Sequence, residues 1–181
     1  MLETKRLILR PWQESDAESL YEYAKDPEIG PPAGWPPHTG VDHSRDVICN
    51  VFSAPETYAV CLKDDKAIGC IGLKLNGFTD MTDRDDECEL GYWIGKPFWG
   101  QGLIPEAAGE LLRYAFEELK MRAVWCGYYD GNEKSRRVQQ KLGFVYQYTT
   151  QDLYLPLMNE KRTGHTSLLT KEQWKKEWQD G

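Results

Sequence analysis

The stretch Tyr92 to Phe116, YWIGKPFWGQGLIPEAAGELLRYAF, constrains this chain more than any other. An apolar run from Glu87 to Ile94 reads as a strand. It leads into Gly95, Gly100 and Gly102, after which Ala107, Ala108, Leu111, Leu112, Ala115, Phe116 and Leu119 keep the spacing of one helical face. A helix start exposes unpaired N–H groups and the positive end of its dipole. Gly100 and Gly102 leave backbone bare there, and Pro105 falls in the first turn, where a missing N–H is harmless. The junction therefore reads as a cradle for a phosphate or pyrophosphate, or as a glycine turn required only by packing.

The rest of the chain supplies further strands and helices. Lys5 to Arg10 reads as a first strand. Ser15 and Glu18 form a capping box ahead of a helix carrying Ala17, Leu20, Tyr21 and Ala24 on one face, which Pro27 stops. Gly30 to Gly40 (GPPAGWPPHTG) reads as a loop with Trp35 in its middle, and a second helix is expected over 42–52. Residues 58–62 and 67–75 form a hairpin, and 76–86 is a polar loop. A strand is expected over 123–129 and a helix over 132–142, ended by Gly143. Strands at 144–149 and 153–158, a turn near Gly164 and a strand at 165–169 follow. A capping box of Thr170 and Gln173 then opens a last helix. Strands come first in hairpins and then alternate with helices, which predicts an α/β (α+β) chain: one mixed sheet with helices on both faces. The length suits one domain over 1–181.

Several site motifs fail on their residues. Gly100 is followed by Gln101-Gly102 and not by Lys-Ser/Thr, so there is no Walker loop, and Pro105 takes the third glycine position of a dinucleotide fingerprint. Asp83 to Glu87 resembles the start of a calcium loop, but Cys88 stands where glycine is needed. His38 and His43 are off the spacing of a zinc pair, so no metal is expected. The net charge of −7 argues against nucleic acid; it suits a cationic partner such as an amine, or serves solubility alone. No apolar run is long enough for a membrane span, and the N-terminus does not read as a secretory signal. The five cysteines lack a CxxC and read as buried reduced thiols in a cytoplasmic protein.

The junction also resembles the acetyl-CoA motif of the GCN5-related N-acetyltransferases, Q/R-x-x-G-x-G/A. Trp99-Gly100-Gln101-Gly102-Leu103-Ile104 departs from it at Trp99 and Ile104. An aromatic-Gly-x-Gly form resembles the branch that acetylates ribosomal-protein N-termini. So do the opening Glu3-Thr4-Lys5-Arg6-Leu7-Ile8-Leu9-Arg10-Pro11 and the strand Glu89-Leu90-Gly91-Tyr92-Trp93-Ile94. The pair Asn132-Glu133-Lys134-Ser135 and Lys141-Leu142-Gly143-Phe144 is similar too, as is the ending Leu168 to Trp174. The resemblance covers nearly the whole chain. It implies a mostly antiparallel sheet splayed at its middle, with acetyl-CoA as cosubstrate and an amine as acceptor attacked directly in a ternary complex.

Carried over residue by residue, the resemblance puts the pantetheine arm along Trp93 and Ile94. The pyrophosphate falls on the backbone of Gly100, Gln101, Gly102 and Leu103. Asn132 takes the pantetheine arm, and Ser135 donates to the leaving thiolate unless it is only a polar residue on a helix face. A thiol of pKa about 8.5 needs modest help to leave. Glu87 and Glu89 share one strand face, where burial or mutual repulsion would raise a carboxylate pKa. Glu89 matches the family position for a base acting through water. The alternative is that both glutamates hold the loop or bind substrate, Glu87 being the substrate-side candidate. Trp35, His38 and His43 line the acceptor site or merely cover it. Arg136 and Arg137 reach CoA phosphates or form a solvated helix face. An α-amino acceptor, pKa about 8, loses its proton at pH 7 for roughly 1.4 kcal/mol, and a lysine-like amine for roughly 4.6 kcal/mol. A peptide N-terminus therefore asks least of a base, ahead of a polyamine or aminoglycoside. A non-catalytic acyl-CoA-binding module is the alternative outside enzymes, and the resemblance allows a homodimer.

Overall fold

The computed structural model describes residues 1–178. Among these residues, eight strands form one sheet in the order β1-β2-β3-β4-β5-β6-β8-β7. They are β1 (Leu2–Glu3), β2 (Leu7–Arg10), β3 (Thr57–Leu62), β4 (Ala67–Lys74), β5 (Glu87–Ile94), β6 (Ala123–Tyr129), β7 (Val145–Leu155) and β8 (Glu160–Thr170). The helices are α1 (Ala17–Ala24), α2 (Gly30–Ala33), α3 (Val41–Asn50), α4 (Leu103–Arg113), α5 (Glu133–Leu142) and α6 (Lys171–Trp178). All neighbouring strands are antiparallel except β5 and β6. That one parallel pair follows from α4, since a helical crossover lets the chain return in the same direction. Among the described residues, no helix is long and apolar enough to cross a membrane.

The alternation along β5 sorts its side chains between two layers. Leu90 and Ile94 enter the main core with Ala107, Ala108, Leu111 and Leu112 of α4, whereas Trp93 reaches the smaller cluster of Ala17, Leu20, Ala24 and Ile48 from α1 and α3. After α4 the chain makes one π-type turn over Tyr114–Glu118 that keeps Ala115 and Phe116 buried. Trp174 of α6 stacks on Phe116, with ring centroids 5.1 Å apart. Full burial of a side chain such as Phe116 contributes roughly 2–3 kcal/mol.

The structure departs from the sequence expectations in four places. A 3₁₀ turn at Glu14–Asp16 precedes α1, and Asp16, not the Ser15–Glu18 box, organises the start. The Asp16 carboxylate accepts from the Gln13 N–H at 2.9 Å and from Nη1 and Nη2 of buried Arg10, each at 2.9 Å. The Gly30–Gly40 loop contains one helical turn, α2, because Pro31 and Pro32 sit at its first positions, where no N–H is needed. The three expected C-terminal strands are two long ones, β7 and β8, which turn at 156–159 and not at Gly164. The apparent break at Asp152 is a bulge, with φ 57° and a register shift between Thr150 and Leu153. Gly164 lies inside β8, where a Cβ would stand 2.6 Å from Leu153 Cδ1, so its glycine makes room for the bulged strand. Finally, four cysteines are buried and all five are free, but Cys49 is exposed and donates to Glu14 Oε1 at 3.2 Å. The expected Thr170–Gln173 box is present: Thr170 N–H donates to Gln173 Oε1 at 3.0 Å, and Gln173 N–H to Thr170 Oγ1 at 3.2 Å.

Candidate active site

The sheet forks between β5 and β6. Their parallel pairing runs from Glu87 opposite Ala123 to Leu90 opposite Cys126 and stops there. Beyond it, among the described residues, Gly91 to Ile94 pair only with β4, and Gly127 to Tyr129 only with β8. Side chains close the apex: Cys126 Sγ donates to Leu90 O at 3.3 Å, and Gln139 Nε2 of α5 donates to Gly127 O at 2.9 Å. The inner edges of the fork carry strand backbone without a strand partner, which an extended amide chain can pair with.

The glycine loop stands at the far end of β5. Gly100 and Gly102 have φ of 74° and 73°, the left-handed region that favours glycine, and Gly102 is the N-cap of α4. A Cβ at Gly100 would meet nothing within 4 Å, so backbone conformation and not crowding selects the residue. Among the described residues, none accepts from the N–H groups of Gly100, Gln101, Gly102, Leu103 or Ile104. Leu103 and Ile104 turn their side chains into the core, so they offer the site only main chain. Trp99, the first departure from the family motif, donates from Nε1 to Ile94 O at 3.0 Å and so ties the loop to the end of β5.

Two cations border this loop that the sequence did not single out. Arg6 donates from Nη1 to Gln101 O at 3.0 Å and from Nε to Glu106 Oε1 at 2.8 Å, while Thr4 Oγ1 donates to Glu106 Oε2 at 2.5 Å. Burial alone would raise the Glu106 carboxyl, but the Thr4 and Arg6 hydrogen bonds outweigh it and hold the group below the usual carboxylate range. Lys134 of α5 places Nζ 2.9 Å from the centroid of the Trp99 ring, a cation–π contact that bridges α5 to the loop. Arg136 pairs with Glu133 at 3.2 Å on the surface, a contact of little energetic weight.

Asn132 and Ser135 meet the fork from α5. Asn132 is its N-cap: Oδ1 accepts from the Ser135 N–H at 3.3 Å, and Nδ2 donates to Pro32 O at 3.4 Å. Ser135 Oγ lies 2.9 Å from the Tyr92 hydroxyl and accepts from Gln139 Nε2 at 3.1 Å. Trp93 and Ile94 lie on the unpaired part of β5, as the resemblance implies, and the Ile94 carbonyl already accepts from Trp99.

The two glutamates occupy the opposite face of β5 from Tyr92 and differ in their partners. Glu87 is 6% exposed, and its carboxylate accepts from Thr82 Oγ1 at 2.7 Å and Trp125 Nε1 at 3.0 Å and pairs with Arg122 at 3.2 Å. Such a set describes the loop-holding alternative. Glu89 accepts from Thr79 Oγ1 at 2.6 Å and has Lys74 Nζ at 3.7 Å, which leaves it acceptor capacity. Trp35 packs edge-on to Trp93, with centroids 5.7 Å apart, and covers this face.

A model of the acetyltransferase (GNAT) domain matches residues 6–145, well over half of the chain. The chain belongs to the GNAT acetyltransferase family. It is 39% identical to the Bacillus subtilis protein named "Putative ribosomal N-acetyltransferase YdaF" over 64% of this chain and 60% of that one. It is 25% identical to the [ribosomal protein uS5]-alanine N-acetyltransferase of Escherichia coli, over 96% of this chain and 92% of the other. The solved structure of a GNAT-family acetyltransferase from Bacillus anthracis shares the fold, with a TM-score of 0.80 at 20% identity over 94% of this chain and 98% of that one. The protein is thus an acyltransferase enzyme of this family, with the GNAT sheet and its central splay.

Beside α3, His38 is buried, with Nδ1 2.8 Å from Ser44 Oγ and its ring 4.5 Å from that of His43. Burial, and then the neighbouring His43, push its pKa down to about 4, so it is neutral at pH 7 and offers no cation there. An unfolded histidine takes its proton near pH 6.5. His38 therefore stabilises the fold fully above that pH and progressively less as pH falls toward 4. Chemical denaturation of the protein and His38→Gln at pH 7 and pH 4.5 is expected to show a larger loss of stability in the wild type, by roughly 2–3 kcal/mol. An equal loss in both would contradict this assignment.

Proposed function

We propose that this enzyme moves the acetyl group of acetyl-CoA to the α-amino group of a protein or peptide N-terminus, by direct attack in a ternary complex. The observation that carries the reading is the convergence at the fork. Unpaired strand backbone, the five free amides of the glycine loop and the Ser135 hydroxyl lie along one path, while Glu89 and Trp35 occupy the opposite sheet face.

The chain's residues fit the cosubstrate. Bare backbone at Gly100 and Gly102, with the start of α4 behind it, favours an anion of pyrophosphate size. Arg6 and Lys134 add positive charge at its rim. The backbone of Gly91 to Ile94, and Asn132, suit the amides of the pantetheine arm. When bound, acetyl-CoA supplies the thioester carbonyl and the leaving thiol. Glu89 takes the proton of the incoming ammonium through water, and Ser135 offers its hydroxyl proton as a hydrogen bond to the departing sulfur. Trp35 and Trp93 shield the acceptor side from bulk water. The relatives named for ribosomal-protein acetylation support the N-terminal acceptor, as does the small cost of deprotonating an α-amine.

Thermal unfolding tests the cosubstrate half. Acetyl-CoA at about 100 times its Kd is expected to add roughly 2.7 kcal/mol of stability. For a chain of this size that is a rise on the order of 5–11 °C. An unchanged Tm at millimolar acetyl-CoA would remove the loop and the fork from the account.

A further inference from the structure

We propose that Tyr92 is a positioning residue for the reaction: its hydroxyl holds the lone pairs of Ser135 Oγ so that the serine proton is the one left for the leaving group. The inference rests on the reading of Ser135 given above and adds a residue on the other side of the fork.

Tyr92 belongs to the part of β5 that has separated from β6. Its side chain lies on the α4–α5 face and packs against the main core, yet its hydroxyl reaches across to α5. The two oxygens it meets, at 2.9 and 3.2 Å, are Oγ and the carbonyl oxygen of Ser135. A carbonyl oxygen can only accept, so Tyr92 is the donor toward Ser135 O; across the 2.9 Å contact either hydroxyl can donate, and in the proposed arrangement the Tyr92 proton is shared with the nearer Oγ. Burial, the largest influence on this phenol, pushes its pKa above the ordinary value, so it keeps that proton at working pH.

Gln139 fixes the other half. Its Nε2 faces the Gly127 carbonyl at 2.9 Å, which again can only accept, and its Oε1 accepts from Ser167 Oγ at 2.9 Å. The amide orientation is thereby determined, and its second N–H goes to Ser135 Oγ at 3.1 Å. With Gln139 donating and, in this arrangement, Tyr92 donating as well, Ser135 Oγ is a double acceptor and its own proton is left for the leaving group. Donors to a hydroxyl oxygen also polarise its O–H, making it the stronger donor to a developing thiolate. A phenylalanine would fill the same space. The tyrosine hydroxyl is what Ser135 uses.

A double-mutant cycle tests this, with Tyr92→Phe, Ser135→Ala and both together, assayed with acetyl-CoA and a short peptide beginning with alanine. Tyr92→Phe is expected to lower kcat about 10-fold, a decade corresponding to about 1.4 kcal/mol of transition-state stabilisation. KM for acetyl-CoA should barely change. In the Ser135→Ala background the same substitution should have almost no effect on kcat, because the group it positions is gone. In Ser135→Thr, which keeps a hydroxyl, the loss should return. An equal loss with and without the Ser135 hydroxyl, or no loss in the single variant, overturns the role of Tyr92. If Ser135→Ala is itself silent, the reading of Ser135 falls as well, so the two failures are distinguishable. An unchanged acetyl-CoA-induced rise in Tm shows that each variant is folded and binds.

Discussion

Glu89→Gln is expected to lower kcat on a peptide N-terminus by about 100-fold at pH 7, the lower range for loss of a positioned general base. The loss should shrink to about 10-fold or less near pH 9. The amide keeps an oxygen for the Thr79 hydroxyl at 2.6 Å. It gives up only a 3.7 Å ion pair with Lys74, whose side chain is more than half exposed, so the fold should be nearly unaffected. The pH trend carries the mechanistic content. At pH 7 an α-amine of pKa about 8 is mostly protonated, and freeing it costs roughly 1.4 kcal/mol that a base must help to meet. Near pH 9 the acceptor is mostly neutral without help, and the variant recovers. Steady-state rates at both pH values decide between the roles: a pH-independent factor would make Glu89 a binding residue, and unchanged rates would remove it from the site.

Ser135→Ala is expected to lower kcat with acetyl-CoA by about 100-fold, again the lower range for a lost proton donor, with KM for acetyl-CoA nearly unchanged. The cap of α5 survives, because Asn132 Oδ1 accepts from the backbone N–H of residue 135 and not from the side chain. What is lost internally is an acceptor for Gln139 Nε2 and for Tyr92, a penalty of about 1–3 kcal/mol for buried groups left unsatisfied. Urea denaturation separates that penalty from the kinetic effect. A variant that binds acetyl-CoA and turns over at the wild-type rate would return Ser135 to the polar helix residue of the blander reading.

What was legible in the sequence is what depends on near neighbours. Gly100, Gly102 and Pro105 signal a bare helix start because left-handed backbone and a missing N–H are local properties. Asn132 and Ser135 are three residues apart, so their cap bond is also written locally. Distant pairings were not legible. Arg6 meets Gln101 and Glu106 from about a hundred positions away, and no periodicity marks it. The Tyr92–Ser135 contact exists only because β5 parts from β6 and α5 fills the opening. Two of the departures from local expectation have the same origin. Ser15 looked like a cap, but the buried Arg10–Asp16 pair sets the start of α1. Gly164 looked like a turn because its reason, Leu153 on the neighbouring strand, lies across the sheet. Glu87 and Glu89 were indistinguishable by period-two alternation, and only the saturation of Glu87 by Thr82, Trp125 and Arg122 separates them.

The most direct measurement is thiol release from acetyl-CoA over a panel of amines, with mass spectrometry of the products. The panel holds a peptide beginning with alanine, its N-terminally blocked form, a polyamine and an aminoglycoside. The account predicts release with the free peptide, acetyl on its α-nitrogen, and none with the blocked form. Release with the polyamine or aminoglycoside alone, or acetylation confined to lysine side chains, would contradict it.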